Sequence, residues 1–197
     1  MLVERTKDSL SWDTLDLSWS SLERDWHGRQ VVPAEFALSL DPSKLWFAAR
    51  REQPPRVLPG AVPHEFTPEL WRCDVAELFI RDVSSGRYLE LNLAPNGAWW
   101  CAEFDAVRRR SSADDIPVQG VKTYAKVLAS GGWQVAASIP LVYLESAIRF
   151  GAHSALNVAF IVDSPEQSFM SQAKLPGSQP DFHQPHYFEQ IELIGKT

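Results

Sequence analysis

The sequence predicts an all-β fold: an antiparallel β-sandwich of jelly-roll type with one short helix. Three observations predict it. Short stretches in which apolar and polar side chains alternate recur along most of the chain. Turn-forming Ser-Gly, Asn-Gly and Gly-Gly steps separate them at hairpin spacing. Only residues 141–150, LVYLESAIRF, carry a helical apolar stripe, so helices do not alternate with strands as a parallel α/β sheet requires. About nine or ten strands are expected from these signals.

Residues 1–33 read as a loop-rich segment docked on a sandwich domain of residues 34–197. Trp12, Trp19 and Trp26 recur at seven-residue spacing, which would place them on one side of a helix. Ser, Asp and Thr fill the intervals, however, and helix formers are sparse. The segment is therefore expected to be irregular, with its Trp side chains packed on the domain.

Residues 34–40 and 44–51 form a hairpin around Asp41-Pro42-Ser43, with Phe36, Leu38 and Leu40 on one face. Residues 53–69 hold five Pro and one Gly. Irregular connections of that length are often functional. This one leads into residues 70–104, the centre of the chain. Here residues 74–81, 87–93 and 98–104 read as three strands, turned by Ser84-Ser85-Gly86 and Pro95-Asn96-Gly97, which tolerate positive φ.

Alternation assigns the faces of these strands. Ala76, Leu78 and Ile80 join Leu89, Leu91 and Leu93 on a core face. Glu77, Phe79 and Arg81 join Tyr88, Glu90 and Asn92 on the other, which is expected to be wet. Carboxylate, amide and aromatic ring together suit a sugar: planar polar groups take hydroxyls pairwise, and rings cover the apolar C–H faces. Adjacent strand residues point oppositely, so only one of Trp99 and Trp100 can share that face.

The charged crossing at residues 105–115 contains Arg108-Arg109-Arg110 and reads as a solvated loop. Residues 118–128 and 133–139 form a second clear hairpin through Ser130-Gly131-Gly132. Pro140 suits the first position of the short helix, whose stripe is Leu141, Leu144 and Ile148. Residues 156–162 are a strand, residues 164–185 are polar and irregular, and residues 187–194 close the fold.

Composition narrows the function classes. Hydrophobic residues make up 45% and charged residues 22%, as in ordinary globular chains. A net charge of −6 argues against nucleic-acid binding, which needs phosphate-neutralising Lys and Arg. Two cysteines, Cys73 and Cys101, make neither a metal quartet nor a disulfide framework; free thiols are expected, with a single bridge the alternative. No stretch approaches the roughly 18 apolar residues of a membrane span. Residues 1–8 lack a signal-peptide core, so a soluble, cytoplasmic protein is expected. Eight Trp are unusual and point to a large aromatic core or a stacking surface.

No G-x-S-x-G elbow, phosphate-cradling loop, dinucleotide fingerprint or H-E-x-x-H is present. His183 and His186, with Asp181 nearby, could be proposed as metal ligands, but the Pro between the His residues precludes a helix, and a hydrogen-bonded pair on a loop is the expectation. Calcium would need a carboxylate-rich loop, and Asp82 and Asp163 stand alone. Glu77 and Glu90 would serve glycoside hydrolysis if their separation allowed it.

Three blocks carry a resemblance: Leu70-Trp71-x-x-Asp74-Val75-x-Glu77-x-Phe79; Tyr88-Leu-Glu-Leu-Asn92 followed by Ala94-Pro95-Asn96-Gly97-Ala98-Trp99; and the closing Pro180-Asp181-Phe182-His183-x-Pro185-x-x-Phe188. Spanning residues 34–194, they resemble the DOMON-like superfamily in the branch similar to family 9 carbohydrate-binding modules. The resemblance implies a β-sandwich with a concave ligand face, and a terminal sugar held between two Trp rings. Trp71 lies at the leading position, and Asn92 matches the amide position. The family's Arg two residues before that amide is Glu90 here, a departure that bears on reducing-end specificity. No Trp between residues 167 and 186 supplies a second ring, so Phe169 or Phe182 would have to serve. The calcium ligands of extracellular modules are not recognisable. Other DOMON relatives bind haem, for which Met170 with His183 or Lys174 could be proposed.

The leading expectation is a non-catalytic module that binds a saccharide or similar polar small molecule. Its ligand-binding residues would be Trp71, Glu77, Tyr88, Glu90, Asn92, one of Trp99 and Trp100, and His183. No cofactor, nucleic-acid partner or membrane partner is expected. Haem binding, glycoside processing through Glu77 and Glu90, and a protein-binding sheet face are the alternatives.

Overall fold

A computed structural model describes residues 1–195. In chain order its strands are β1 (Leu2–Arg5), β2 (Ser20–Arg24), β3 (Gln30–Leu40), β4 (Lys44–Arg51), β5 (Val75–Asp82), β6 (Tyr88–Leu93) and β7 (Trp99–Ala106). They continue as β8 (Arg109–Arg110), β9 (Lys122–Val127), β10 (Trp133–Pro140), β11 (Ser154–Val162), β12 (Ser168–Ser171), β13 (Glu189–Gln190) and β14 (Glu192–Gly195). One α-helix, α1 (Leu141–Ile148), follows β10.

The strands form two seven-stranded sheets. Sheet A runs β14-β1-β3-β4-β10-β9, with β2 sharing the free edge of β3. Sheet B runs β12-β11-β5-β6-β7-β8, with β13 sharing the outer edge of β11. Pairing is antiparallel except at β1, which is parallel to both β3 and β14. The sandwich is all-β, as the alternation predicts.

The core lies between the sheets and uses the predicted parity. Ala76, Leu78 and Ile80 of β5 and Leu89, Leu91 and Leu93 of β6 meet Phe36, Leu38 and Leu40 of β3 and Val135, Ala137 and Ile139 of β10. The helix buries Leu144, Ala147 and Ile148 against the same core. Gly97, in the turn before β7, has φ +84° and leaves no room for a side chain: a Cβ there would stand 2.5 Å from Nδ1 of His64.

The described residues form fourteen strands in place of the nine or ten expected, because pieces of two to five residues are too short to show a period. The single closing strand expected at residues 187–194 is broken at Ile191. There the chain leaves β11 in sheet B and joins β1 in sheet A. The N-terminal segment, expected to be irregular, supplies β1 and β2. Its Trp residues separate: Trp12 and Trp19 pack on the outer face of sheet A around Trp46, whereas Trp26 joins the cluster on the outer face of sheet B.

Met170, the residue considered for haem, is buried in the inter-sheet core. The carboxylate of Asp82 accepts from Ser84 N and from the Ser84 and Ser85 hydroxyls, which hold its pKa at about 2. Asp163 binds Arg51 through both oxygens. Cys73 and Cys101 are free and buried. Among the described residues no helix is long and apolar enough to cross a membrane.

Candidate functional site

The register of sheet B lays out its outer face as rows. In the first, Ala159 of β11, Glu77 of β5, Asn92 of β6 and Trp100 of β7 stand side by side. In the next, Asn157, Phe79, Glu90 and Ala102 do so. In the third, Arg81 is followed by Tyr88 and Phe104. Ala159 and Ala102 are the small members, so each glutamate is flanked by a side chain that rises little above the sheet. Alternation also decides between the two adjacent tryptophans. Trp100 shares the face with Asn92, whereas Trp99 turns inward to the core and meets Phe66 edge-on at 5.1 Å.

This face is not wet as expected. Glu77, Glu90 and Asn92 are only 3%, 5% and 1% exposed. Part of the covering comes from the C-terminal segment, whose Phe182, His183 and Phe188 rings pack on Phe79, Tyr88 and Phe104, and the Leu70–Arg72 turn packs on β6 as well. Those apolar rings cap the central rows and leave an opening at one side.

The opening is a pocket of about 390 Å³ lined by Trp71, Trp100, Glu90, His183, Arg108, Arg110 and Asp115, with Pro68, Glu69 and Phe104. Trp71 is placed by the 3₁₀ turn Leu70–Arg72. Leu70 anchors the turn in the outer cluster, which leaves Trp71 53% exposed. Gln167 Nε2 donates to the Trp71 carbonyl at 3.0 Å, and Arg72 pairs with Glu69. Trp100 is held by its indole N–H, which donates to Asp115 at 2.8 Å, while the Arg110 guanidinium lies 5.3 Å from its ring centre and also pairs with Asp115.

Burial governs the electrostatics. Desolvation raises the Glu90 carboxyl to about 7, although the Asn92 amide, Arg108 and Arg110 pull it down. Glu77 is pushed well above the usual carboxylate range by desolvation and then by the neighbouring Glu90 charge. Desolvation, helped by Arg108, lowers His183 to about 4, so its imidazole is neutral at pH 7. The Tyr88 hydroxyl accepts from Arg108 N at 3.1 Å and lies 2.8 Å from His183 Nδ1. With Tyr88 donating to Nδ1, the network assigns the imidazole proton to Nε2, which faces Glu90 Oε2 at 3.6 Å. The Asn92 amide lies against Glu90, but neither its Nδ2 nor its Oδ1 reaches a partner at hydrogen-bonding geometry.

Of the residues singled out in the sequence, Trp71, Glu90, Trp100 and His183 line the pocket. Glu77 and Asn92 adjoin Glu90 on the same face without lining it. Tyr88 is buried with its hydroxyl engaged, and Trp99 belongs to the core. Phe169 and Phe182 pack on each other within the outer cluster, away from the pocket walls. Among the described residues, no group of three or more His, Cys, Asp or Glu side chains converges to hold a metal.

Arg108, Arg110 and Asp115 were not expected here. They lie in the crossing that reads as solvated, but the turn at Val107-Arg108 folds β8 back along β7 and sets Arg110 opposite Phe104. The signal for this was a strand ending in charged residues immediately before an Arg run, which is also how an ordinary surface loop looks.

No family model and no curated protein matches the sequence. Among solved structures, the chain is similar to a putative carbohydrate-binding protein from Bacteroides uniformis ATCC 8492, with 15% identity, a TM-score of 0.75 and coverage of 98% of both chains. It is also similar to a family 9 carbohydrate-binding module from Caldicellulosiruptor kristjanssonii. In complex with cellotriose, that module matches at 15% identity and TM-score 0.61, over 100% of this chain and 95% of the other. In complex with glucose, it matches at 16% identity and TM-score 0.61, over 100% and 97%. At such identities the likeness establishes the fold: the chain shares the two-sheet sandwich of these structures from end to end.

Proposed function

We propose that the chain is a non-catalytic binding module for a saccharide or a similar polar small molecule, seated between Trp71 and Trp100 over Glu90. The observation that carries this reading is Glu90: a carboxyl only 5% exposed that nevertheless lines an open pocket with two Trp walls and has no ion-paired Lys or Arg among the described residues. Behind it stands the fully buried Asn92, whose Oδ1 has no donor. A buried polar group left unmet costs about 1–3 kcal/mol, so a ligand that supplies a partner to the Glu90 carboxyl is favoured. The pocket volume suits a small ligand. Two indole rings offer stacking faces, and the fold is that of the carbohydrate-binding structures above.

The acids favour binding over hydrolysis. Of the Glu77–Glu90 pair only Glu90 lines the pocket. The other two carboxylates there, Glu69 and Asp115, are held in ion pairs with Arg72 and Arg110, which does not make the free flanking pair that glycoside hydrolysis uses.

The test is isothermal titration calorimetry, with tryptophan fluorescence in parallel, against neutral hexoses, their β-1,4-linked oligomers and hexosamines. Saturable binding that weakens at least tenfold in both Trp71→Ala and Asn92→Ala is expected. Wild-type protein that binds none of these sugars overturns the reading.

A further inference from the structure

The acid pair beneath the pocket bears on the charge of the ligand. Glu77 faces Asn92 across the β5–β6 ladder, and Glu90 lies two residues from Asn92 on the same face, so the glutamates are diagonal neighbours. Carboxyls this deep are ordinarily compensated by a cation or several donors. No Lys or Arg pairs with either among the described residues.

Most of the charged groups around them have ion-pair partners of their own. Arg108 binds Asp181 at 2.8 Å, Arg110 binds Asp115, and Glu69 binds Arg72 at 3.0 Å. Arg81, on the strand of Glu77, donates to the Pro185 carbonyl. His183 presents its Nε2 to Glu90 at 3.6 Å, beyond hydrogen-bond range, and its other nitrogen is occupied by Tyr88. Arg108 and Arg110 pull on Glu90 only from beyond ion-pairing distance, no cation stands at ion-pairing distance from either glutamate among the described residues, and Asn92 Oδ1 is an acceptor with no donor.

Resting on the saccharide reading above, we propose that the site selects a sugar bearing a free amine. Its ammonium would stand at the Glu90 carboxylate beside Asn92, and its ring would lie against Trp71 and Trp100. An ammonium supplies both the missing charge and up to three donors, and an indole face attracts it further. A neutral sugar supplies hydroxyls but no charge, and N-acetylation removes the charge altogether. Since Glu90 is partly protonated near pH 7, seating an ammonium there drives its proton into the buffer.

The experiment is calorimetry at pH 7 with glucosamine, glucose and N-acetylglucosamine, repeated in two buffers of different ionisation enthalpy. It uses wild type, Glu90→Gln and Glu77→Gln. Glucosamine should bind at least tenfold tighter than the other two sugars. Its enthalpy should differ between buffers, reporting proton release. In Glu90→Gln the ratio of glucosamine to glucose affinity should fall at least fivefold; Glu77→Gln should lower it less. Equal affinities for glucosamine and glucose overturn the amine inference and leave the saccharide site intact, as does a full preference surviving in Glu90→Gln. Absence of binding by all three sugars to wild type overturns it as well, and the wider sugar panel then decides the fate of the site.

Discussion

The Tyr88 hydroxyl lies 2.8 Å from Nδ1 of His183, and the same oxygen accepts the Arg108 backbone N–H at 3.1 Å. One buried atom on β6 therefore fastens two loops distant in sequence, the β7–β8 turn and the C-terminal segment. One reaches the pocket from the middle of the chain and the other from near its C-terminal end. The Tyr88 ring is fixed in turn by stacking on Phe104, with centres 4.6 Å apart and planes within 3°. The phenol positions the wall residues.

Tyr88→Phe keeps the stacking and removes the fastening. It strands the Arg108 N–H and His183 Nδ1, at an expected cost of about 1–3 kcal/mol in chemical unfolding. Ligand affinity should fall as well, because His183 and Arg108 lose their common anchor. Unchanged stability together with unchanged affinity would show that the hydroxyl is not a positioning group.

How far the sequence carries this site depends on range. Alternation within residues 74–104 set Glu77, Tyr88, Glu90 and Asn92 on one face, because strand period is a local property. Whether that face met water depended on residues 172–188, almost a hundred positions away. Their Pro-rich stretch has no period by which to place it, so Phe182 and Phe188 could not be located as its cover. The choice between Trp99 and Trp100 needed one more fact, the β6–β7 register, which pairs Asn92 with Trp100. Arg110 and Asp115 depended on a two-residue strand, β8, too short to leave a pattern.

Stability should depend on pH through two opposing effects. The Glu90 carboxyl, raised from 4.5 to about 7, and Glu77, raised in the same direction, hold protons that the unfolded chain has released. The Glu90 contribution is complete below about pH 4.5 and is lost as the pH rises through about 7, and Glu77 acts in the same direction. His183 is lowered from 6.5 to about 4, so its contribution is complete above about 6.5 and is lost as the pH falls through about 4. Urea unfolding at half-unit pH steps should show these slopes competing between 4.5 and 6.5. Glu90→Gln should shrink the loss toward neutral pH, and His183→Gln should leave a steady decline from pH 4.5 to 7. A Glu90→Gln profile superposable on wild type contradicts the assignment.

Arg51 is a buried charge with a defined partner. It sits at the end of β4 in sheet A and reaches Asp163, just past β11 in sheet B, at 2.6 and 3.1 Å, so one ion pair ties the two sheets together. Asp163 has φ +62°, a conformation that Asn adopts as readily as Asp, so Asp163→Asn removes charge without straining the backbone. Stranding the Arg51 guanidinium should cost about 3 kcal/mol. Arg51→Met in the Asp163→Asn background should recover part of that loss. A single Asp163→Asn variant as stable as wild type in guanidinium denaturation refutes the tie.

The adjacent tryptophans separate stability from binding. Trp99 is packed in the inter-sheet core, where Trp99→Ala opens a cavity and should cost about 3–5 kcal/mol. Trp100 stands on the opposite face, partly exposed and fixed by Asp115 and Arg110 at its edge and face. Trp100→Ala should cost far less stability but abolish measurable sugar binding, because it removes one of two walls. Asp115→Ala should lie between: it keeps the ring but frees the indole N–H, so affinity falls several-fold through a faster off-rate as the wall loses its fixed orientation. Measuring unfolding and calorimetric affinity on the three variants checks the set. If Trp99→Ala and Trp100→Ala lose stability equally and bind equally, the face assignment of β7 has no functional consequence and the stacking site lies elsewhere.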